Sequence, residues 1–411
     1  MIPYKKRILK NGLTVVVNRD HTSKLSAVNL LYKVGARNED PNRTGFAHLF
    51  EHLMFRGTRD VPFFDLPVQM ASGEDNAFTN NDYTNFYLTL PVDNLETALW
   101  LESDRMQGLW ITPEKLETEK RVVIEEFRQR YLNQPYGDQT MLLRELAYTT
   151  HPYRWATIGR STDHIEGATL EEVERFYRTF YRPSNAVLAL SADRDEEALL
   201  DLAEQWFGHL NDTPICHQSI PQEPRQEQAR LKIVERDVPA TTISIAYHMG
   251  DRLSKDFCTG DLVSDLLSGG DSSRLYQHLV KEQRLFASVN AYISGDVDPG
   301  LFILTGQLLP TTSEEQAIEA FEREIEALKH EQPSAYELEK VKNKFEANTL
   351  FGELNVMNKA MNLCYYEFLG DLALVNREID EYRSIDADRI FEFADRIFRT
   401  ENSSTLIYRA R

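Results

Sequence analysis

The chain has 411 residues, enough for two or three domains of ordinary size, and a formal net charge of −19. This acidic balance argues against nucleic acid as the main partner, because binding to phosphates requires a basic surface. The sequence contains no apolar run of the roughly 18 residues that a membrane-spanning helix requires. The basic N-terminus is not a secretory signal, so we expect a cytoplasmic protein, with the periplasm as the alternative if a leader was removed.

The three cysteines, Cys216, Cys258 and Cys364, are far apart in the sequence. Their odd number and wide spacing give neither a disulfide framework nor a CxxC metal clip. We therefore expect buried or neutral thiols, and any metal ion must be held by histidines and carboxylates.

Two pairs of similar segments recur along the chain at nearly the same offset. Strand-like segments contain Gly35 and Gly250, and helix-rich segments begin at Ile165 and Ile379. Two matches at nearly one offset predict a duplicated domain, and the polar, proline-rich stretch between the copies is typical of a linker. The predicted boundaries are a first domain at 1–212, a linker at 213–229 and a second, homologous domain at 230–411.

Each half begins with strand-like runs and continues with long helices. In the first half the runs are Leu13–Val17 and Ala27–Val34, and a closing strand is expected near Ala186–Leu190. Strands and helices do not alternate strictly, which argues against a doubly wound parallel sheet. The pattern predicts an α+β fold of two homologous domains, each a mostly antiparallel sheet with helices packed on one face.

The segment TGFAHLFEHLMFRGT, Thr44–Thr58, has the periodicity of an amphipathic helix. Four apolar residues share one arc of about 100°: Phe46, Leu49, Phe50 and Leu53. His48, Glu51 and His52 fall on the opposite arc. Because His48 and His52 are one turn apart, both imidazoles can reach one metal ion, and Glu51 can accept a proton from a water on that ion.

A catalytic zinc ion needs a third protein ligand and one open position. A second helix is predicted in the segment Thr112–Arg130, since Thr112 can cap it and Pro113 suits its first turn. Either Glu125 or Glu126 can supply the third ligand.

These residues resemble the pitrilysin/insulinase family of metallopeptidases, the inverzincins, over essentially the whole chain. GFAHLFEHLMFRGT resembles the zinc-binding helix of the family, and ETEKRVVIEEF resembles the segment with the third ligand. SGEDNAFTNNDYTNFYLTLP is similar to the edge strand after the zinc helix. The small two-domain bacterial members and mitochondrial processing peptidase are the most similar in organisation.

The resemblance implies one zinc ion per chain, on His48, His52 and Glu126. It implies Glu51 as the general base and Glu119 as a carboxylate that orients the metal site. It also implies an exposed edge strand that pairs with the backbone of a peptide substrate: Asn76, Ala77, Phe78 and Thr79.

The second half departs from the family in two ways. The counterpart of the zinc helix, residues 256–270, contains no histidine. Where many family members carry an Arg and a Tyr that contact the substrate, this chain has Val280 and Ala287, which cannot donate hydrogen bonds to an oxyanion. Arg284 and Tyr292 lie nearby in another register.

The resemblance therefore predicts the catalytic subunit of a heteromeric zinc endopeptidase. A homologous partner chain would supply the Arg and the Tyr in a heterodimer or heterotetramer. The alternatives are a non-catalytic scaffold or binding subunit of a larger complex, and a metal hydrolase with a non-peptide substrate.

Overall fold

The computed structural model describes residues 1–212, 219–295 and 297–411. The first six residues of the predicted linker, among them Cys216, lie outside the described residues. The described strands are β1 (Lys5–Ile8), β2 (Thr14–Arg19), β3 (Leu25–Tyr32), β4 (Glu74–Thr79), β5 (Thr84–Pro91), β6 (Ala186–Ala192), β7 (Arg230–Arg236), β8 (Thr242–His248), β9 (Phe286–Ile293), β10 (Leu301–Leu308) and β11 (Ser403–Ala410).

The described α-helices are α1 (Phe46–Leu53), α2 (Asp65–Met70), α3 (Leu95–Gln107), α4 (Pro113–Phe127), α5 (Gln139–Ala147), α6 (Thr162–Glu166), α7 (Leu170–Phe180), α8 (Glu196–Phe207), α9 (Lys255–Ser268), α10 (Glu314–His330), α11 (Ala335–Gly352), α12 (Val356–Phe368), α13 (Glu378–Arg383) and α14 (Ala387–Ile397). Of these helices, none combines the length and the apolarity that crossing a membrane requires.

The first of two compact units comprises Met1–Arg128, Trp155–Ile220 and Leu350–Asn376. Its sheet has the order β1-β2-β6-β3-β5-β4. Among the strand pairs described in this sheet, β2 and β6 run parallel and the others run antiparallel. Helices α3 and α8 pack against the sheet, and α12 packs on strand residues that include Val16 and Ala27. Strand β2 has a continuous buried run of β-branched residues, Thr14–Val17, and β3 is buried from Ser26 to Tyr32, so both strands are buried on both faces, as central strands are.

The second unit comprises Gln129–Arg154, Pro221–Thr349 and Arg377–Arg411. Its sheet has the order β7-β11-β8-β10-β9, in which β7 and β11 run parallel and the other described pairs run antiparallel. A core of residues from α9, α10, α14 and the sheet fills this unit. Helix α5 packs its Leu143 and Ala147 against other strand residues of the same sheet.

The two sheets have the same strand order once β1 is set aside. The parallel pair is β2 and β6 in the first sheet and β7 and β11 in the second; in each, an early strand of the half is paired with its last strand. Three antiparallel strands follow in each sheet, β3-β5-β4 and β8-β10-β9.

The predicted α+β fold, with two homologous domains built on mostly antiparallel sheets, is confirmed. The predicted packing of helices on one face only is wrong, because alternate strand residues are buried against different helices: in β8, Ile245 lies in the core with α9, α10 and α14, and Ala246 packs with α5. The predicted strand at Leu13–Val17 corresponds to β2, which begins one residue later and ends two residues later, and the one at Ala27–Val34 corresponds to β3, which lies two residues earlier. The predicted strand at Ala186–Leu190 corresponds to β6, which begins at the same residue and ends two residues later.

The compact units are not contiguous along the chain. Helix α5 precedes the linker but belongs to the second unit, and α12 follows the linker but belongs to the first. The boundaries 1–212, 213–229 and 230–411 describe the homologous halves of the sequence, and they stay a prediction.

The two cysteines within the described residues, Cys258 and Cys364, are free and buried. Burial raises the pKa of each thiol to about 12. Both are therefore neutral thiols at physiological pH.

Candidate metal centre

Helix α1 carries the residues from which a metal site was predicted. Its apolar stripe is buried as expected: Phe46, Leu49, Phe50 and Leu53. His48 is 8% exposed, while Glu51 and His52 are half-buried. The stripe fixes the rotation of the helix, because turning it would bring apolar side chains to the surface.

Helix α4 supplies the third candidate ligand. Its start is the one predicted, since the Thr112 hydroxyl accepts a hydrogen bond from the Lys115 amide at 3.3 Å and the helix begins at Pro113. Near its end, Glu126 Oε2 lies 3.7 Å from His48 Nε2 and 3.4 Å from His52 Nε2. Glu125, the other candidate, is paired with Arg128 on an exposed part of the helix.

The donor atoms of His48, His52 and Glu126 fit a zinc ion. All three lie within 4.8 Å of one another, and within the described residues this is the one such group. A tetrahedral zinc ion with ligands at about 2.0–2.2 Å would hold neighbouring donor atoms about 3.3 Å apart. The distances of 3.4 and 3.7 Å to Glu126 match that spacing to within a few tenths of an ångström. Three protein donors leave the fourth position for a water or a substrate, as catalytic zinc requires.

A second carboxylate lies behind His52. Glu119 Oε2 is 3.5 Å from His52 Nδ1, and the Arg56 guanidinium is 2.5 Å from the other oxygen. Glu119 is fully buried, and burial raises its pKa, but His52 and Arg56 outweigh that effect and hold the pKa below the usual value. Glu119 therefore stays ionised and can orient the imidazole ring through Nδ1.

The negative charge around His52 prepares the site for a cation. Burial acts to lower the pKa of His52, but Glu119 and Glu126 outweigh it and raise the pKa to about 9. A metal ion that binds there must displace this proton and then takes over its role as counter-ion to the carboxylates.

Glu51 lies on the same helix face as the two histidines. Burial raises its pKa above the usual carboxyl value, while the neighbouring Thr79 and His52 act in the opposite direction. A half-buried carboxylate with a raised pKa, next to a metal site, has the properties of a general base.

The predicted substrate strand is the edge strand β4. It lies at the end of the sheet order, with β5 on one side, and among the described residues no strand is paired to its other side. Asn76 is exposed, and Ala77, Phe78 and Thr79 are half-buried. Since Thr79 neighbours Glu51, this edge ends beside α1, the helix that carries the candidate metal donors.

Two residues near the metal centre were not predicted from the sequence. Arg56 was not expected because its partner Glu119 is distant in sequence, and only the packing of α1 on α4 brings them together. Glu39 was not expected because it lies in a loop. The signal that could have indicated it is Gly45, which has no side chain to cap the helix that follows.

The second unit has no donor set at the equivalent helix, α9, which contains no histidine. Val280 packs against the apolar core and Ala287 is exposed on β9. Arg284 lies in the turn before β9, with a φ of +53°, and Tyr292 lies near the other end of that strand. An extended strand separates the two by on the order of 20 Å. They therefore do not form a pair, and Tyr292 lies instead beside Arg144 of α5.

Comparison with known proteins identifies the family. Residues 14–160 match the family model described as insulinase, peptidase family M16, and residues 167–345 match the model described as the peptidase M16 inactive domain. The zinc protease PqqE of Helicobacter pylori is 29% identical over 97% of this chain and 91% of its own length. A probable mitochondrial-processing peptidase subunit beta of Schizosaccharomyces pombe is 26% identical over 72% of this chain and 66% of its own length.

Solved structures agree. A protease from Helicobacter pylori superimposes with a TM-score of 0.93 at 28% identity, with both chains covered in full. A peptidase M16 inactive domain from Pseudomonas fluorescens has a TM-score of 0.89 at 19% identity, covers 100% of this chain and 98% of its own, and shows the shared fold. The chain belongs to the insulinase family of peptidases, peptidase family M16. Several of its relatives are named zinc proteases.

Proposed function

We propose that this chain is a zinc-dependent endopeptidase that hydrolyses peptides or unfolded segments of proteins. The observation that carries the proposal is the convergence of His48, His52 and Glu126 on one point, with the carboxylate of Glu51 on the same face of α1. Relatives named zinc proteases support the choice of metal and of reaction.

The residues of the site divide the work of hydrolysis. Zinc held there would supply Lewis acidity for the scissile carbonyl and would lower the pKa of the attacking water. Glu51 takes the proton from that water and delivers it to the leaving amine. Glu119 interacts with Nδ1 of His52 and thereby fixes the orientation of the ring. The other ring nitrogen, Nε2, then points toward Glu126 and the proposed metal position.

The substrate class follows from the edge strand β4. Its unpaired side offers backbone N–H and C=O groups to an extended chain, and a peptide can complete the sheet by strand addition. Asn76, Ala77, Phe78 and Thr79 would form that contact. This mode of binding recognises a peptide backbone, which argues against a non-peptide substrate. It also favours unfolded segments, because a folded protein seldom offers an unpaired strand.

The active site is incomplete in this chain alone. Val280 and Ala287 have neither a guanidinium nor a hydroxyl group to stabilise the oxyanion. We propose that a homologous partner chain supplies the Arg and the Tyr, so that this chain is the catalytic subunit of a heteromeric peptidase. One relative is itself named a subunit of a processing peptidase, which supports this reading.

The experiment combines metal analysis with a peptide assay. The purified chain should retain about one zinc ion after dialysis. Together with its partner, it should cleave an unstructured peptide. Glu51→Gln should keep the zinc and lose on the order of 10²–10⁴ in turnover, because only the proton transfer is removed. A fully active Gln variant would refute the assignment of Glu51.

The partner is tested by assaying the chain with and without proteins that co-purify from the native source. Full turnover by the isolated chain, as a monomer or a homodimer, would refute dependence on a partner. A chain that binds zinc but stays inactive with every homologous partner would instead support the alternative function, a non-catalytic binding subunit. That alternative is also compatible with the absence of the Arg and the Tyr.

We keep the cytoplasm as the proposed compartment. A periplasmic protease of Escherichia coli, PqqL, shares the fold and makes the periplasm the alternative. Cell fractionation separates the two.

A further inference from the structure

The helix that bears the metal ligands cannot cap its own N-terminus. Gly45 stands at the cap position with a φ of +93° and has no side chain to accept hydrogen bonds from the first turn. A Cβ atom there would lie 2.6 Å from the Ile158 carbonyl oxygen, so no capping side chain fits. The amides of the first turn nevertheless need acceptors, and a helix of only eight residues is marginal without them.

Glu39 supplies those acceptors from outside the helix. Its Oε2 accepts a hydrogen bond from the Gly45 amide at 2.9 Å, and its Oε1 accepts one from the Ala47 amide at 2.8 Å. The carboxylate lies at the positive end of the helix dipole, where a negative charge is favoured. Ala47 directly precedes His48, so the second bond fixes the backbone next to the first metal ligand.

The carboxylate is held there at a cost. Glu39 is only 6% exposed, and this burial raises the pKa of its carboxyl group, although the amides of Ala47 and Gly45 act against that rise. Both carboxyl oxygens accept N–H hydrogen bonds, an arrangement that fits the ionised form. A solvent-exposed capping residue would avoid this desolvation.

The loop that carries Glu39 is itself anchored to the sheet. The Ala36 amide donates to the Asn80 carbonyl at 3.1 Å, and the Arg37 amide donates to the Asn81 carbonyl at 2.8 Å. The Trp155 indole also donates to the Ala36 carbonyl, at 3.0 Å. Asn80 and Asn81 form the turn between β4 and β5. The bonds from Glu39 therefore tie the start of α1 to the edge of the sheet that carries the substrate strand.

We propose that Glu39 is a positioning residue of the metal centre, which sets where α1 presents His48 and His52 to Glu126. It touches neither the metal donors nor a substrate, and it acts through the backbone of Gly45 and Ala47. This inference rests on the proposed function, since it assumes that the three donors hold zinc.

The test compares Glu39→Gln with the wild type. The amide of Gln can accept at one oxygen only and turns a donor toward the other backbone N–H, so one of the two bonds is lost. Asp20→Asn is a matched control, because Asp20 is also a buried carboxylate of the first unit. It accepts from the Thr22 amide at 3.0 Å and pairs with Lys359 at 2.7 Å, away from α1.

Three measurements are made on each full-length variant. Zinc affinity is measured by competition with a chelator, the donor geometry by the visible absorption of the cobalt(II)-loaded protein, and the mobility of α1 by hydrogen exchange without metal. We expect Glu39→Gln to weaken zinc binding by 10–100-fold, as loss of a residue that orients a ligand does. We also expect it to change the cobalt spectrum and to accelerate exchange in α1. Asp20→Asn should change none of the three.

Wild-type affinity and an unchanged cobalt spectrum in Glu39→Gln would overturn the proposal. Equal losses of zinc affinity in Glu39→Gln and Asp20→Asn would also overturn it, because they would indicate general destabilisation. If Glu39→Gln does not fold, Glu39→Asp replaces it; the shorter carboxylate reaches one amide, and an intermediate loss of affinity is expected. If the wild-type chain binds no zinc, the proposed function itself is refuted. This outcome is distinguishable from failure of the Glu39 proposal, because it is measured on the wild-type protein without any variant.

Discussion

Helices α1 and α9 occupy the same place in two sheets of the same strand order, yet their polar side chains differ in what they do. In α9 each aspartate has a structural partner: Asp256 pairs with Arg396, Asp261 accepts from Tyr382, and Asp265 pairs with Lys344. In α1 the polar residues His48, Glu51 and His52 instead lie close to the carboxylates of another helix, α4.

The comparison teaches that the fold positions a helix but does not supply its chemistry. In the first unit, the helix α1, which follows β3, carries two of the three candidate metal donors. In the second unit, the corresponding helix α9 carries aspartates that form ion pairs and a hydrogen bond within the unit. The difference lies in a few side chains, and the predictions below test whether it has the expected consequences.

The largest effect is expected from removing a donor in the first unit. His48→Ala should abolish stoichiometric zinc and lower peptidase activity by on the order of 10³-fold or more, because both the Lewis acid and the activated water depend on the ion. Metal analysis after dialysis and a peptide assay measure this. His278→Ala, which removes a histidine paired with Glu324 in the second unit, is the control and should keep its zinc. Zinc loss in the control would contradict the assignment of the site to one unit.

A smaller effect is expected from removing the metal alone. A ligand present at 100 times its dissociation constant stabilises the folded state by about 2.7 kcal/mol. Chelation should therefore lower the free energy of unfolding of the first unit by about that amount and accelerate hydrogen exchange in α1 and α4. Exchange in α9 and β8 should stay unchanged. If chelation accelerated hydrogen exchange equally in both units, the metal would not stabilise the first unit specifically, and the prediction would be wrong.

The smallest effect is expected from an ion pair of the second unit. The Arg274 guanidinium beside Glu337 lowers the pKa of that carboxyl to about 2. Since the folded pKa lies below the unfolded value of about 4.3, the pair stabilises the protein above pH 4.3, and its contribution fades as the pH falls toward 2.

Glu337→Gln should thus lower the free energy of unfolding by about 1 kcal/mol at pH 7, discounted for partial exposure. The difference from the wild type should shrink below pH 4. Urea unfolding at several pH values measures this, with and without zinc. We expect the same loss of stability with and without zinc. A loss of stability in Glu337→Gln that appears only in the zinc-loaded protein would show that this ion pair depends on the metal, contrary to the prediction.

Local pattern predicted much of the site. The apolar stripe of α1 and the start of α4 at Thr112 and Pro113 depend on residues that are neighbours in sequence, and the structure has both as expected. The choice between Glu125 and Glu126 could not be made in this way. It depends on which side of α4 faces α1, and that is a matter of tertiary packing.

Two other features were beyond the reach of the sequence. Periodicity indicates that α5 and α12 have apolar faces, but it does not indicate which of two similar sheets each face covers. The role of Glu39 was also hidden, because a carboxylate that caps a helix six residues away leaves no local pattern.

The placement of α12 makes the packing of the first unit depend on the second half of the sequence. This helix follows the second copy in sequence but covers strand residues of the first unit, and its Cys364 thiol donates to the carbonyls of Asn29 and Val187. A chain truncated after its first half would lack α12, and the apolar strand residues that α12 covers would be exposed to water. Removal of the second half of the sequence would therefore also remove packing from the first unit, although α12 carries none of the candidate metal donors.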